Sequence, residues 1–143
     1  QIGPLFKRWI AKGSLGVPLL DRDAFINSKD NAILMGSDTQ LQNFASDTLS
    51  YKRDKGLDFI ARFNGKYVVG EAKFLSDFGG HQNAQFSDAI STIEDEYVKA
   101  EKIAILDGVL FIEGRNKMHK YLINNPHHTI LSALVLREYL FQL

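Results

Sequence analysis

Hydrophobic spacing divides this chain into segments of two different periods. Leu5–Ala11 predicts a short helix, and Gly13, Gly16 and Pro18 break the next stretch into a loop. In Thr39–Tyr51, Leu41, Phe44, Ala45, Thr48 and Leu49 recur at helical spacing. Ser37 or Asp38 stands where an N-cap belongs, so a helix is predicted over about 38–51. The period then shortens to two. Leu57–Phe63 and Lys66–Lys73 read as strands joined by Asn64-Gly65, a pair that accepts the positive φ a tight hairpin turn requires. Ser76–Gly80 reads as a loop, and His81–Lys99 as a helix with Phe86, Ala89, Ile90, Ile93 and Tyr97 on one face. Ile103–Ile112 reads as a buried strand broken or bulged at Asp107-Gly108. Lys117–Asn124 predicts a short helix ended by Pro126, and Thr129–Phe141 an amphipathic one carrying Ile130, Leu131, Leu134, Val135, Tyr139 and Leu140. The order α, ββ, α, β, α predicts an α/β sheet with helices on its faces.

Composition narrows the class. At 143 residues, 45% hydrophobic and 24% charged, the chain fits one ordinary globular domain over 1–143. Residues 1–34 read as an N-terminal extension, or as a segment that contacts DNA or a second copy. Without cysteine there is no disulfide framework, thiolate metal site or thiol nucleophile. No apolar run approaches the ~18 residues that span a bilayer, and no signal peptide opens the chain. These features predict a soluble, intracellular protein with no membrane partner. Opening on Gln1 instead of Met, it reads as a fragment or processed form.

Net charge is zero, so no overall basic excess announces a nucleic-acid binder. The distribution is uneven, however. Residues 1–73 hold eleven basic and eight acidic side chains, and six of the eleven fall between Lys52 and Lys73. A mixed solvated surface accounts for this on charge alone.

The hairpin concentrates the chemistry. A two-residue turn pairs Phe63 with Lys66 and Arg62 with Tyr67, and the same register sets Asp58 opposite Glu71. Alternation then puts Asp58, Ile60, Arg62, Tyr67, Val69, Glu71 and Lys73 on one face. Leu57, Phe59, Ala61, Phe63, Val68, Gly70, Ala72 and Phe74 form the other, apolar face and belong to the core. Opposed like charges on a sheet are unfavourable, so a shared proton, a nearby base or a cation must offset them. Lys73 as the base gives a plain ion-paired triad on an exposed sheet. A hard cation such as Mg²⁺ is the alternative: it takes one or two carboxylates, keeps waters and accepts phosphate oxygens. Asp58, Glu71 and the main-chain carbonyl of Ala72 would form that half-shell, with Lys73 beside the remaining waters.

These residues resemble a known superfamily. Gly56-Leu57-Asp58, thirteen residues before the Glu of Glu71-Ala72-Lys73, is similar to the PD-(D/E)XK nuclease signature, with Leu57 where Pro often stands. The flanking elements over about 35–113 resemble that superfamily's core. Gly70–Gln85 (GEAKFLSDFGGHQNAQ) is most similar to type II restriction endonucleases. The resemblance implies a restriction-endonuclease-like core, a mixed β-sheet flanked by helices (α-β-β-α-β). It implies Mg²⁺-dependent hydrolysis of duplex DNA, with Mn²⁺ able to substitute, by a cytoplasmic prokaryotic homodimer. Asp58 and Glu71 match the metal-binding acids and Lys73 the catalytic lysine. An acid on the preceding helix, Asp38 or Asp47, would reach the metal through water. Two rivals stay open: a Holliday-junction resolvase or repair nuclease with the same core, and a non-catalytic nuclease-like module that binds DNA or protein.

Gly79-Gly80 ahead of a helix would leave backbone N–H groups for a phosphate, and His81, Gln82, Asn83 and Gln85 would reach DNA from its first turn. A flexible loop with a polar helix start is the plainer account. Asp77-Phe78-Gly79 spells a kinase triplet without the loops that give it meaning. His127-His128 reads as an exposed turn, since adjacent side chains point apart and no third metal ligand is apparent.

Overall fold

The computed structural model describes residues 3–75, 80–108 and 117–143. Its organising feature is the hairpin of β3 (Phe59–Phe63) and β4 (Lys66–Leu75). Asn64 and Gly65 turn the chain at φ 53° and 79°, conformations that Asn tolerates and Gly adopts without penalty. The register is Phe63 with Lys66, Arg62 with Tyr67 and so on to Phe59 with Gly70. β3 stops there. Asp58 lies one residue beyond the ladder, its N–H donating to the Gly70 carbonyl at 3.2 Å.

Around the hairpin the sheet grows to six strands in the order β1-β2-β3-β4-β5-β6. The N-terminal part contributes β1 (Leu19–Leu20) and β2 (Ala32–Leu34), and the C-terminal part β5 (Glu101–Gly108) and β6 (Ile130–Leu131). β2 and β3 are antiparallel, as are β3 and β4; the outer pairs are parallel, so the sheet is mixed. Six helices complete the described residues: α1 (Gly3–Ala11), α2 (Arg22–Asn27), α3 (Asp38–Thr48), α4 (Gly80–Ile93), α5 (Lys117–Asn124) and α6 (Ala133–Phe141). None of them is long and apolar enough to cross a membrane.

Each face of the sheet is packed. Phe6 and Ile10 of α1 and Leu136 and Leu140 of α6 cover Phe59, Ala61, Phe63, Val68, Ala72, Ile103 and Ile105. On the opposite face, Phe25 of α2 and Leu41, Phe44 and Ala45 of α3 pack on Ala32, Leu34, Ile60 and Val69. Farther along that face, Phe86, Ala89, Ile90 and Ile93 of α4 meet Leu75, Ala104, Leu106 and Met118 of α5. The face that the ion-paired-triad alternative left exposed is therefore covered by helices. Arg62 on it is 4% exposed, bonded to the Phe25 and Asp30 carbonyls and stacked 4.3 Å over the Phe25 ring.

Several boundaries differ from the sequence reading for local reasons. Residues 19–34, expected to be loop or extension, supply two strands and a helix whose N-cap Asp21 accepts from Ala24 N–H. Helix α3 starts at Ser37, one of the two predicted caps, which forms a capping box with Gln40, but it ends at Thr48 because Ser50 turns into positive φ. Helix α4 stops at Ile93, six residues early, where the Asp95 carboxylate captures the Tyr97 N–H in a turn. Tyr97, expected in the apolar stripe, is 78% exposed as a result. Ile130-Leu131 form an edge strand in place of helix, and Ser132 caps the next helix, leaving Leu134 exposed. Phe74, expected in the core, is exposed where β4 outruns β3, and Leu57 joins the α3 cluster because it precedes the ladder that fixes alternation. Strand β5 runs unbroken through Asp107 to Gly108, and residues 109–112 of the predicted strand lie outside the described residues.

Candidate active site

Side chains 69, 71, 73 and 75 of β4 point to one face by alternation. Val69 is buried in the α3 cluster and Leu75 in the α4 cluster. Glu71 and Lys73 occupy the seam between those clusters, and the chain entering β3 delivers Asp58 to the same place. Asp58 Oδ2 accepts the Ala72 N–H at 2.9 Å. The N–H and C=O of one strand residue leave on the same side, so the Ala72 carbonyl also faces the Asp58 edge.

Both carboxylates are short of water. Burial pushes the Asp58 carboxyl up, against the Ala72 N–H bond; the Asp38 charge pushes the same way, while Lys73 and Lys7 pull it down. Burial raises Glu71 too, against the hydrogen bond and charge of Lys55; the Asp58 charge adds to the rise and Lys73 opposes it. Asp58 thus acts electrostatically on Glu71, and both feel Lys73. The predicted trio is gathered.

A group whose folded pKa is raised keeps its proton longer in the native state than in the unfolded chain. Native protein therefore binds more protons above the ordinary Asp value of 3.8, and stability falls as pH rises through that interval. In EDTA, wild type should lose melting temperature relative to Asp58→Asn as pH rises from that value to neutrality. Parallel pH profiles of the two proteins would refute the shift.

The two candidates on the preceding helix separate. Asp38 opens α3 and pairs with Lys7 at 2.8 Å. A Cβ built on Gly56 would lie 2.8 Å from the Asp38 Cβ, so this helix start presses on the backbone two residues before Asp58. Asp47 is nine residues further on, about 13 Å along the axis, and pairs with Arg22 at 2.9 Å on the exposed end of the helix. The structure brings Asp38 to the site and not Asp47. Gly56→Ala should drive Asp38 and the Asp58 approach apart at a cost of roughly 1–3 kcal/mol. A melting temperature and cleavage rate equal to wild type would show that this contact has slack.

Four residues join the site that the sequence reading did not single out. Lys55 Nζ lies 2.6 Å from Glu71 Oε2 and 2.7 Å from Asp88 Oδ1. Asp88, on α4, is also 3.7 Å from Lys73 Nζ. Burial alone would raise the Asp88 carboxyl, but the Lys55 hydrogen bond and charge, with Lys73 and Arg53, hold it below its ordinary value. Thr92, fully buried one turn after Asp88, donates to Glu71 Oε2 at 3.1 Å and accepts from Arg53 Nη1 at 3.0 Å. Two signals pointed here: Thr92 interrupts the apolar stripe of α4, and Arg53, Lys55 and Lys73 belong to the Lys52–Lys73 basic run. Of that run, Lys52 and Lys66 are exposed and Arg62 is buried under α2.

The oxygen donors suit a hard cation. Asp58, half-buried, and Glu71, 2% exposed, face a polypeptide carbonyl edge, and the Asp38 charge is felt at Asp58. Among the described residues no three acidic or histidine side chains converge into a complete cage. A cation here would complete its shell with water and substrate oxygens, the habit of Mg²⁺.

The predicted DNA contacts fall at the start of α4. Gly80 opens the helix, and Gln85 is half-buried one turn before Asp88. Gly79, the Asp77-Phe78-Gly79 triplet and the side chains of His81 and Gln82 lie outside the described residues. His127 is exposed as expected, whereas His128 Nδ1 meets the Tyr121 hydroxyl at 2.8 Å.

Comparison with known families fits this geometry. A family model described as Tsp45I type II restriction enzyme matches residues 1–143. The chain belongs to the Tsp45I type II restriction enzyme family. No curated protein and no solved structure matches it. Membership makes the protein a site-specific DNA endonuclease of a restriction system. The six-stranded mixed sheet with its flanking helices is compatible with a restriction-endonuclease-like core.

Proposed function

We propose that the protein hydrolyses phosphodiester bonds of duplex DNA with Mg²⁺ held by Asp58, Glu71 and the Ala72 carbonyl. Asp38 would act on that ion through water, Mn²⁺ would substitute for it, and Lys73 would act on the attacking water. One observation carries the reading: Asp58, Glu71 and Lys73 meet at the seam between the α3 and α4 clusters, where Glu71 is buried, Asp58 half-buried and both carboxyls are raised. When bound, the ion supplies Lewis-acid stabilisation of charge developing on the phosphate. The chain's own contributions are separable. Asp58 and Glu71 give negative charge at fixed positions, Asp58 because its Oδ2 is tied to the Ala72 N–H and Glu71 because the Thr92 hydroxyl donates to its Oε2. Lys73, 23% exposed, stands at the mouth. From there its ammonium can orient a water by hydrogen bonding and favour the hydroxide form, with the pentavalent phosphate charge close by. The helix packing on both sides of the seam keeps bulk water off the carboxylates, which strengthens each of these interactions.

Two strands must be cut, and a homodimer placing one such site on each is the simplest arrangement; its test is the mass of the protein in solution with and without DNA. Such an enzyme would work in a prokaryotic cytoplasm. The function is tested by incubating plasmid or phage DNA with the protein in Mg²⁺, Mn²⁺ or EDTA and sequencing the ends. Discrete fragments sharing one terminal sequence, formed with either metal and not in EDTA, are expected. Cleavage confined to four-way junctions, or undiminished in EDTA, would refute the proposal.

A further inference from the structure

Lys55 is bound more completely than a surface lysine. An ammonium has three N–H donors, and three acceptors stand around this one: Glu71 Oε2 at 2.6 Å, Asp88 Oδ1 at 2.7 Å and the Asp88 carbonyl at 3.1 Å. Its Glu71 partner is 2% exposed. Lys73 differs, since among the described residues its ion pair is with Asp88, at 3.7 Å.

We propose that Lys55 is the resident cation of the site, seated on Glu71 in the metal-free enzyme and displaced onto Asp88 when a divalent cation binds. The proposal rests on Glu71 being a metal ligand. Three features support displacement over permanent pairing. A buried carboxylate needs a positive partner, and in the metal-free protein Lys55 is that partner. A divalent ion on the same carboxylate would repel an ammonium held this close, and at so little exposure water screens the repulsion weakly. The alternative seat already exists, because Asp88 holds Lys55 through both its carboxylate and its carbonyl and is itself partly open to solvent.

Displacement needs no backbone movement. The Tyr51 hydroxyl donates to the Lys55 carbonyl at 3.0 Å and Gln42 Nε2 to the Arg53 carbonyl at 3.3 Å, so the loop is pinned by its own Tyr51 and by Gln42 of α3. The buried Tyr51 phenol, pushed up to about 12 by burial, keeps its proton for that bond throughout the working pH range. Only the flexible four-carbon stem of Lys55 has to turn. A competing internal cation lowers metal affinity below what the two carboxylates alone would give, so the enzyme holds its ion loosely until another negative group, such as a DNA phosphate, joins the shell.

The test is Mn²⁺ binding to the intact protein without DNA, monitored by loss of the free-ion electron paramagnetic resonance signal. Lys55→Met should bind Mn²⁺ roughly tenfold more tightly than wild type. Lys73→Met removes an equal charge nearby without vacating Glu71 and should gain clearly less. Lys55→Arg, whose fork grips two carboxylates more firmly, should bind Mn²⁺ more weakly than wild type, and it remains informative if the Met variant fails to fold. Unchanged or weaker binding by Lys55→Met, or equal gains from Lys55→Met and Lys73→Met, overturns the displacement while leaving Glu71 a ligand. Binding by Lys55→Met alone supports it in its strongest form. If neither wild type nor Lys55→Met binds Mn²⁺, the metal reading of Glu71 falls, and the displacement with it.

Discussion

Lys73→Ala is expected to bind duplex DNA in EDTA about as tightly as wild type and to cleave it in Mg²⁺ on the order of 10³-fold more slowly. The split follows from where the ammonium stands. Lys73 is mostly buried at the mouth of the seam, and its charge is felt by Asp58 and Glu71 together. One positive charge among many that meet a DNA backbone contributes little to affinity. The same charge beside the reacting water acts on the transition state only. Lys73→Arg should recover little, because a guanidinium is larger, planar and never a proton acceptor. The competing account makes Lys73 a partner of Asp88, 3.7 Å away. That account predicts a fall in melting temperature with cleavage nearly intact, since exposed or half-exposed pairs are worth at most ~1 kcal/mol. A single-turnover rate separates the two.

Asp58→Asn should have a still more divided effect. Asparagine keeps the size of the side chain and an oxygen able to accept the Ala72 N–H, now received at 2.9 Å by Asp58 Oδ2. It removes a carboxylate that burial and the Asp38 charge both raise. In EDTA the variant should therefore be as stable as wild type or up to about 1 kcal/mol more stable, as expected when an unfavourable cross-strand like-charge pair is relieved. In Mg²⁺ its cleavage should fall on the order of 10³-fold or more, because half of the anionic donor set is gone. A variant less stable in EDTA would mean that Asp58 is a satisfied ion-pair member and not a metal ligand.

Much of this was written in local sequence. Asn64-Gly65 fixed the hairpin register, and the register placed Asp58 beside Glu71, because a two-residue turn leaves no freedom in the pairing. The Ser37 cap, β4, α4 and α5 followed from period and turn chemistry, and the mixed sheet from the resemblance to the PD-(D/E)XK superfamily. What escaped depended on contacts between distant segments. Two- and three-residue strands such as β1 and β2 carry too few positions to show alternation, and only pairing, of β2 with β3 and of β1 with β2, makes them strands. Arg62 looked like a surface cation because its partners, the Phe25 and Asp30 carbonyls, are main-chain groups of no distinctive residue type. Lys55 reaches Glu71 across sixteen positions from a loop with no periodicity. Asp88 and Thr92 share a face of α4 that was read only for its apolar residues. The helix cover over Glu71 was also not legible, since alternation shows which residues share a face and not which face a helix will cover.

The central claim is that Asp58 and Glu71 are there to hold a divalent cation. Thermal melts of wild type and Asp58→Asn, each in EDTA and in Mg²⁺, test it without DNA or turnover. Binding to the native state raises its melting temperature, by a stabilisation of RT ln(1 + c/Kd) at Mg²⁺ concentration c. Mg²⁺ should raise the melting temperature of wild type and leave that of Asp58→Asn unmoved. A wild type indifferent to Mg²⁺, or an equal rise in both proteins, would contradict the claim.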